Sequence, residues 1–155
     1  MELSPEAETR CRELRVAAPI CRRGVWRRFG NRVYLCGTIG SEFDVWQRRL
    51  SVLSAADALF SQRIGLEEVE SVMDGLEREA SSSLLAGERL LPRRSPGYAE
   101  LPLTLSVEIV EKLDAARKIG VSVTESLLLV PSKSVTAVCD VVSDGERRSS
   151  QKATK

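Results

Sequence analysis

The spacing of apolar residues changes along the chain, from a helical period at the start to an alternating one and back. Near the N-terminus, Ser4 can cap a helix and Pro5 suits its first turn, where acidic residues also favour the helix dipole. This pattern predicts a helix over residues 4–16. Pro19 lies just beyond it and prevents its continuation.

An alternating segment follows at residues 25–36, with Gly30 and Asn31 at its centre. A two-residue loop that begins with glycine matches the twist of paired strands, so the segment predicts a β-hairpin. The loop also sets the register of the two strands. On one face, which we expect in the core, lie Trp26, Val33 and Leu35. On the opposite face, which we expect to be exposed, lie Arg27, Phe29, Arg32 and Tyr34.

Two amphipathic helices are predicted in the middle of the chain. Ser41 and Asp44 are spaced as an N-terminal capping pair, and Gly65 is a natural C-terminal stop. Apolar residues recur at helical spacing between them, and a second, acidic helix follows. We expect the first helix to form an oligomer or partner interface through Phe43, Trp46, Leu50 and Leu53. Packing in the chain's own core is the alternative for this stripe.

The C-terminal part predicts a boundary and then a smaller unit. Residues 87–99 contain the turn-forming residues of a loop or linker, which makes them a possible internal boundary. Beyond them the pattern predicts a strand at 101–105, a helix that ends at Gly120, and a last strand at 135–142. The segment 122–130 suits either a helix or a strand, and the pattern does not decide between them.

These elements define an α+β fold class. In order, they are an N-terminal helix, an arginine-rich β-hairpin, two amphipathic helices and a strand–helix–strand–strand unit, which together form a small mixed sheet. The length of 155 residues fits one domain, which we place at 1–142. The polar and basic residues 143–155 predict a disordered tail.

Composition excludes several classes of function. The chain has no histidine, which removes the commonest general base and the commonest metal ligand. Its 4 cysteines form no C-x-x-C pair, so we predict neither a metal nor a cofactor. No apolar run is long enough to span a membrane, and the acidic N-terminus is unlike a secretory signal. We therefore expect an intracellular protein, cytoplasmic or nuclear, that is not an enzyme.

Charge changes this picture, because its distribution is uneven although the net charge is only +1. Residues 10–32 hold eight arginines and one acidic residue, whereas residues 66–80 hold six acidic residues and one arginine. Arginines that neutralise phosphates favour binding to RNA or DNA through the backbone. We predict a nucleic-acid-binding regulatory or accessory protein of plasmid, phage or viral type, which acts as a homodimer. The expected contacts are Arg22, Arg23, Arg27, Arg28, Arg32 and Tyr34.

Two alternatives remain open for these charges. The arginines could pair with the acidic helix at 66–80, in the same subunit or in another. The chain could also be a protein-interaction adaptor, inhibitor or chaperone that acts through the helices of 42–80, with an acidic protein as its partner. Nothing in the sequence predicts base readout, so RNA and DNA are equally compatible with it.

Part of the C-terminal region resembles the ribbon-helix-helix DNA-binding proteins. The resemblance covers about thirty residues, and it rests on Leu101-Pro102-Leu103-Thr104-Leu105-Ser106, Glu111-Lys112-Leu113-Asp114 and Gly120-Val121-Ser122-Val123-Thr124-Glu125-Ser126. In that family a strand enters the major groove as half of a dimeric ribbon, and the second helix packs in the dimer core. The resemblance implies a strand at 101–105 and a helix at 122–130.

Overall fold

A computed structural model of the chain describes residues 2–98 and 100–143. The helices are α1 (Pro5–Ala17), α2 (Ser41–Leu53), α3 (Ala55–Ser82), α4 (Leu105–Leu113) and α5 (Ala115–Ile119). The strands are β1 (Arg23–Phe29), β2 (Arg32–Thr38), β3 (Glu88–Leu90), β4 (Ser122–Val123), β5 (Leu129–Val130) and β6 (Ser134–Ser143). Of the predicted tail, residues 144–155 lie outside the described residues.

The predicted α+β class and the order of its elements are confirmed. Four strands form one sheet in the order β1-β2-β6-β3, and β4 and β5 form a separate hairpin. Every strand pair is antiparallel, so the main sheet is not mixed as the sequence suggested. Within the described ranges, no helix is both long and apolar enough to cross a membrane.

The hairpin of β1 and β2 has the predicted register, with Phe29 opposite Arg32 and Trp26 opposite Leu35. The prediction that one of its faces is exposed holds for Arg27 but is wrong for Tyr34, which is buried. Val33 and Leu35 pack on one side with residues of α3, while Tyr34 packs on the other with residues of α4 and α5. The C-terminal helices return over this second face, so β2 is covered on both sides.

The break between the two central helices lies at Ser54, not at Gly65. Ser54 has an extended backbone, and its hydroxyl accepts a hydrogen bond from the amide of Asp57, which caps α3. The predicted cap at Ser41 does not form, because Asp44 instead accepts from the amide and hydroxyl of Ser132. The Asp44 carboxylate thus links α2 to the segment that precedes β6.

Gly65 lies inside α3 because another side chain needs the space. A Cβ at this position would lie 2.7 Å from Cε1 of Phe43 and 2.9 Å from Cε of Lys133. Phe43 and Gly65 are both buried where α2 crosses α3. Glycine here allows a close helix approach and does not end the helix.

The C-terminal region departs furthest from the sequence predictions. Residues 88–90, within the predicted loop, form β3. Residues 101–104 form an irregular segment and a turn rather than a strand, and α4 begins at Leu105. Residues 122–130 contain the β4–β5 hairpin. The resemblance to ribbon-helix-helix proteins therefore fails, since neither its strand nor its second helix is present. The predicted helix ends at Gly120 as expected, although a left-handed Asp114 divides it.

Two glycine-to-alanine substitutions in α3 test this packing. Gly65→Ala should lower the free energy of unfolding, since overpacking costs roughly 1–3 kcal/mol and the helix-propensity gain is at most about 1 kcal/mol. Gly75→Ala is the matched control, because the nearest atom to its Cβ is Nη2 of Arg78 at 3.9 Å, and it should be neutral or stabilising. Urea denaturation measures both. Equal stability of the two variants would contradict the packing argument.

Candidate functional site

Most arginines of the basic segment are engaged by carboxylates. Five of the eight form ion pairs, and the partners of three of them lie on α3. The pairs are Arg10 with Asp57, Arg15 with Glu67, Arg22 with Glu68, Arg28 with Glu88, and Arg32 with Asp140. The charge of this segment is therefore largely compensated within the chain.

Arg23 and Arg27 are the exceptions among the predicted contacts. Both are exposed, and no carboxylate of the described residues lies within 4.0 Å of either guanidinium. The guanidinium of Arg27 lies 5.4 Å from the ring centre of Phe29, and the ammonium of Lys112 lies 5.2 Å from the same ring. Two cations thus flank one half-buried aromatic ring at the edge of the sheet.

Tyr34 does not belong to this surface. Its side chain is buried at 6 % exposure, and its ring centre lies 5.3 Å from that of Phe29. The sequence placed both rings on an accessible face, but α4 and α5 cover it. Tyr34 packs in the core, where its ring cannot reach a nucleic-acid base.

The residues predicted as an interface are also dispersed. Phe43 is fully buried, and Trp46 and Leu50 pack partly buried in the same cluster of α1, α2 and α3 residues. Leu53 alone projects outward, with 81 % of its surface exposed. The structure therefore does not assemble these four side chains on one outer surface.

The most concentrated polar site lies elsewhere, around Arg93 in the segment that follows β3. Its guanidinium donates hydrogen bonds to Asp74, at 2.7 Å, and to Glu70. Glu77 lies 3.7 Å from the same guanidinium and accepts a hydrogen bond from the Arg93 backbone amide at 3.1 Å. We call these four residues the Arg93 cluster.

The Arg93 cluster combines a well-fixed cation with an excess of negative charge. The Arg93 side chain is only 19 % exposed, whereas those of Glu70 and Asp74 are more than half exposed. Burial opposes the charged guanidinium, but its hydrogen bonds to Asp74 and Glu70 outweigh that effect and raise the pKa of Arg93. Three carboxylates around one guanidinium leave the cluster able to attract a further cation.

The chain beyond Arg93 stays on the same edge of the sheet. The amide and carbonyl of Arg94 both bond to Val138 of β6, and its guanidinium contacts Asp140 at 2.6 Å. Gly97 then adopts a positive φ of 89°, which turns the chain and precedes Tyr98. Tyr98 is 73 % exposed, so its ring is accessible five positions along the chain from Arg93.

Sequence reasoning missed the Arg93 cluster, although part of it was visible. Glu70, Asp74 and Glu77 recur at four- and three-residue spacing, which places them on one face of a helix. That face was interpreted only as a partner for the arginines of residues 10–32. The approach of the loop at 93 to α3 depends on tertiary structure, and no local pattern encodes it.

The remaining reactive groups do not form a site. All four cysteines are free thiols, and burial raises the pKa of Cys36 and of Cys139 to about 12. A thiol with such a pKa is a poor nucleophile at neutral pH. In the part of the chain that the structure describes, no group of three acidic or cysteine side chains could hold a metal ion.

Comparison with known proteins gives one informative result. No family model matches the chain, and no curated protein matches it. Among solved structures, the chain is similar to one described as the MetH reactivation domain bound to AdoHcy, with a TM-score of 0.59 and 19 % sequence identity. The likeness covers 70 % of this chain and 38 % of that one, so the chain spans well under half of the other's length. At this identity the comparison establishes a shared fold.

The ion pair of Arg28 and Glu88 predicts a pH dependence of stability. Hydrogen bonds from Arg28, and from the amide of Leu85, lower the pKa of Glu88 to about 2. Because the folded pKa lies below the ordinary value of about 4.3, the stabilisation is full above that pH and is lost as pH falls towards 2. Glu88→Gln should therefore flatten part of the decline in the urea midpoint between about pH 4.5 and 2.

The pKa values of Asp57 and Glu67 are also lowered, so their protonation still destabilises the Glu88→Gln variant as the pH falls. The flattening is therefore only partial. Glu125→Gln is a suitable control, because Glu125 is exposed in the β4–β5 loop and has no ion pair in the described ranges. If the Glu88 and Glu125 variants lose stability in parallel with the unaltered chain down to pH 2, the Arg28–Glu88 pair contributes nothing.

Proposed function

We propose that this chain is a non-catalytic accessory protein that binds an S-adenosyl thioether amino acid of the AdoHcy type. The observation that carries the proposal is the Arg93 cluster, where a partly buried guanidinium and three carboxylates meet at the edge of the sheet. The shared fold with a structure described as bound to AdoHcy supports it, since that ligand has the chemistry the cluster suits.

The amino-acid end of such a ligand carries one ammonium and one carboxylate. Glu70 and Asp74 are exposed enough to accept hydrogen bonds from an ammonium, and the guanidinium of Arg93 can donate to a carboxylate. On binding, the ligand's carboxylate would accept some of the hydrogen bonds that Arg93 now donates to Asp74 and Glu70. Its ammonium would neutralise the excess negative charge of the cluster.

The nucleoside end of the ligand needs an aromatic side chain on which its adenine can stack, and few further contacts. Tyr98 offers an exposed ring five positions beyond Arg93, on a turn that Gly97 fixes through a hydrogen bond from its amide to the carbonyl of Leu101. Stacking of a base on an aromatic side chain contributes roughly 1–3 kcal/mol. The proposal therefore assigns the Arg93 cluster to the amino acid and Tyr98 to the adenine.

Isothermal titration calorimetry with AdoHcy tests this assignment. We expect binding that Asp74→Asn or Glu70→Gln weakens by about tenfold or more, because each removes a hydrogen bond between charged groups. Tyr98→Ala should weaken AdoHcy and adenosine alike, whereas Asp74→Asn should weaken AdoHcy more than adenosine.

Glu79→Gln is the matched control for these variants. Glu79 lies on the same helix but accepts from the indole of Trp26, a bond that glutamine retains, so AdoHcy affinity should not change. The proposal fails if AdoHcy at ~1 mM releases no heat and does not shift the melting temperature, since even millimolar affinity would then be absent. Equal weakening by the Glu79 and Asp74 variants would also contradict it.

Nucleic-acid binding is the second candidate, and one observation favours it. Arg23 and Arg27 are exposed without a carboxylate partner in the described residues, and Lys112 joins Arg27 around the ring of Phe29. Such a surface suits phosphate contacts with little sequence preference. A regulatory or accessory role, assembly as a homodimer, and a cytoplasmic or nuclear location remain proposals alongside it.

Fluorescence anisotropy with short RNA and DNA, single- and double-stranded, tests the second candidate across a salt series. Arg23→Gln/Arg27→Gln should weaken binding and reduce the salt slope by about 2, because roughly one counterion is released per phosphate contact. Arg48→Gln/Arg49→Gln is the control, since both arginines are exposed on α2. Absence of binding to all four probes at ~50 mM salt excludes this candidate, because electrostatic binding is strongest at low salt.

A further inference from the structure

β1 is an edge strand whose outer side is open. It pairs only with β2, in an unbroken register of seven residue pairs from Arg23 to Phe29. The two-residue loop makes Phe29 and Arg32 a hydrogen-bonded pair, so the backbone groups of Gly24, Trp26 and Arg28 point away from β2. Within residues 2–98 and 100–143, these outward groups have no backbone partner.

The two edges of the sheet differ in how they are protected. β3, at the opposite edge, has only three residues and is followed by Pro92. β1 has seven residues, no proline and no bulge. Sheets ordinarily protect an edge of this length by shortening, interrupting or covering it, or by placing charged side chains on it, and β1 has only the last of these protections, in its three arginines. β1 is thus the edge at which an added strand would find a full-length partner.

Side chains on β1 specify what kind of strand would pair there. Arg23 and Arg27 lie on the face covered by α4 and α5, where they remain exposed and unpaired with carboxylates in the described residues. Trp26 lies on the other face and is half-buried. Because side chains alternate, an added strand would place every second residue beside the two arginines and the others beside Trp26.

We propose that β1 binds an extended, acidic peptide segment of a partner protein, in which acidic residues alternate with apolar ones. The acidic residues would pair with Arg23 and Arg27, and the apolar ones would extend the surface of Trp26. A second copy of β1 is disfavoured, since it would bring the same arginines together. This inference is independent of AdoHcy binding, and it competes with nucleic acid for Arg23 and Arg27.

Fluorescence anisotropy with a labelled octapeptide of alternating glutamate and valine measures this binding. R23E/R27E should weaken it ~10-fold or more, since two cross-strand charge pairs become repulsive. R48E/R49E makes the same change of charge on α2 and should leave the affinity unaltered. A peptide of alternating lysine and valine should not bind. Equal binding of the lysine peptide, or equal loss in both double variants, would overturn the proposal.

Backbone methylation separates strand pairing from simple charge attraction. Two isomers of the peptide, methylated at alternate amides, block one edge or the other, so one isomer should lose binding and the other should keep it. Amide hydrogen exchange of the full chain should slow at Gly24, Trp26 and Arg28 when the unmodified peptide is bound. If neither methylated isomer loses binding, or if hydrogen exchange at these amides is unchanged, the peptide is held by charge attraction without strand pairing. Either result would refute the inference.

Single-stranded DNA serves as the final comparison. If it binds more tightly than the acidic peptide and R23E/R27E abolishes that binding, β1 is a nucleic-acid surface and the peptide proposal is wrong. Retention of AdoHcy binding in R23E/R27E would show that the variant is folded and that the two proposed sites are independent of each other.

Discussion

The fold depends on a single strand that is buried on both faces. From Val33 to Thr38, every residue of β2 is buried, with α3 on one side and α4 and α5 on the other. A strand with no exposed face cannot carry charge in its interior, because an unpaired buried charge is strongly disfavoured. Arg32, at the end of the strand, is the one charged residue, and Asp140 of β6 lies opposite it.

That burial explains where the basic residues lie. The arginines of residues 10–32 occupy α1, the connection to β1, β1 itself and the first position of β2, all at the perimeter of the core. α3 supplies carboxylates to three of them, so it acts as both a hydrophobic support for the sheet and its electrostatic counterpart. Exposed ion pairs of this kind each contribute little to stability, but together they determine which cations remain free.

The parts of the fold that local chemistry determines could be predicted from the sequence. Gly30 and Asn31 fix the hairpin register without help from the rest of the chain, and Gly120 ends its helix as expected. Predictions failed where one residue type serves two purposes. Gly65 resembles a helix stop but makes room for Phe43, and Leu101, Leu103 and Leu105 alternate without forming a strand.

The candidate site was harder to predict than the fold for a related reason. An excess of charge along the sequence indicates a binding surface only if no other part of the chain pairs with it. Here carboxylates of α3, β3 and β6 pair with five of the eight arginines. The Arg93 cluster required the opposite information, namely that a loop residue returns to three carboxylates some twenty residues earlier in the chain. Exposure and pairing are properties of the assembled structure, and composition does not contain them.

The two proposed sites lie at opposite edges of one sheet, and this arrangement constrains how they could communicate. β2 and β6 separate them, and both strands are largely buried and closely packed. Two connections join the edges among the described contacts. Arg28 of β1 pairs directly with Glu88 of β3, and on α3 Glu79 accepts from the indole of Trp26 while Glu77 accepts from the backbone amide of Arg93. The two carboxylates on α3 are two residues apart on a continuous helix. Any coupling between the edges would therefore run through the Arg28–Glu88 pair or through a rigid-body shift of α3, because packed cores rearrange between discrete states and do not deform continuously.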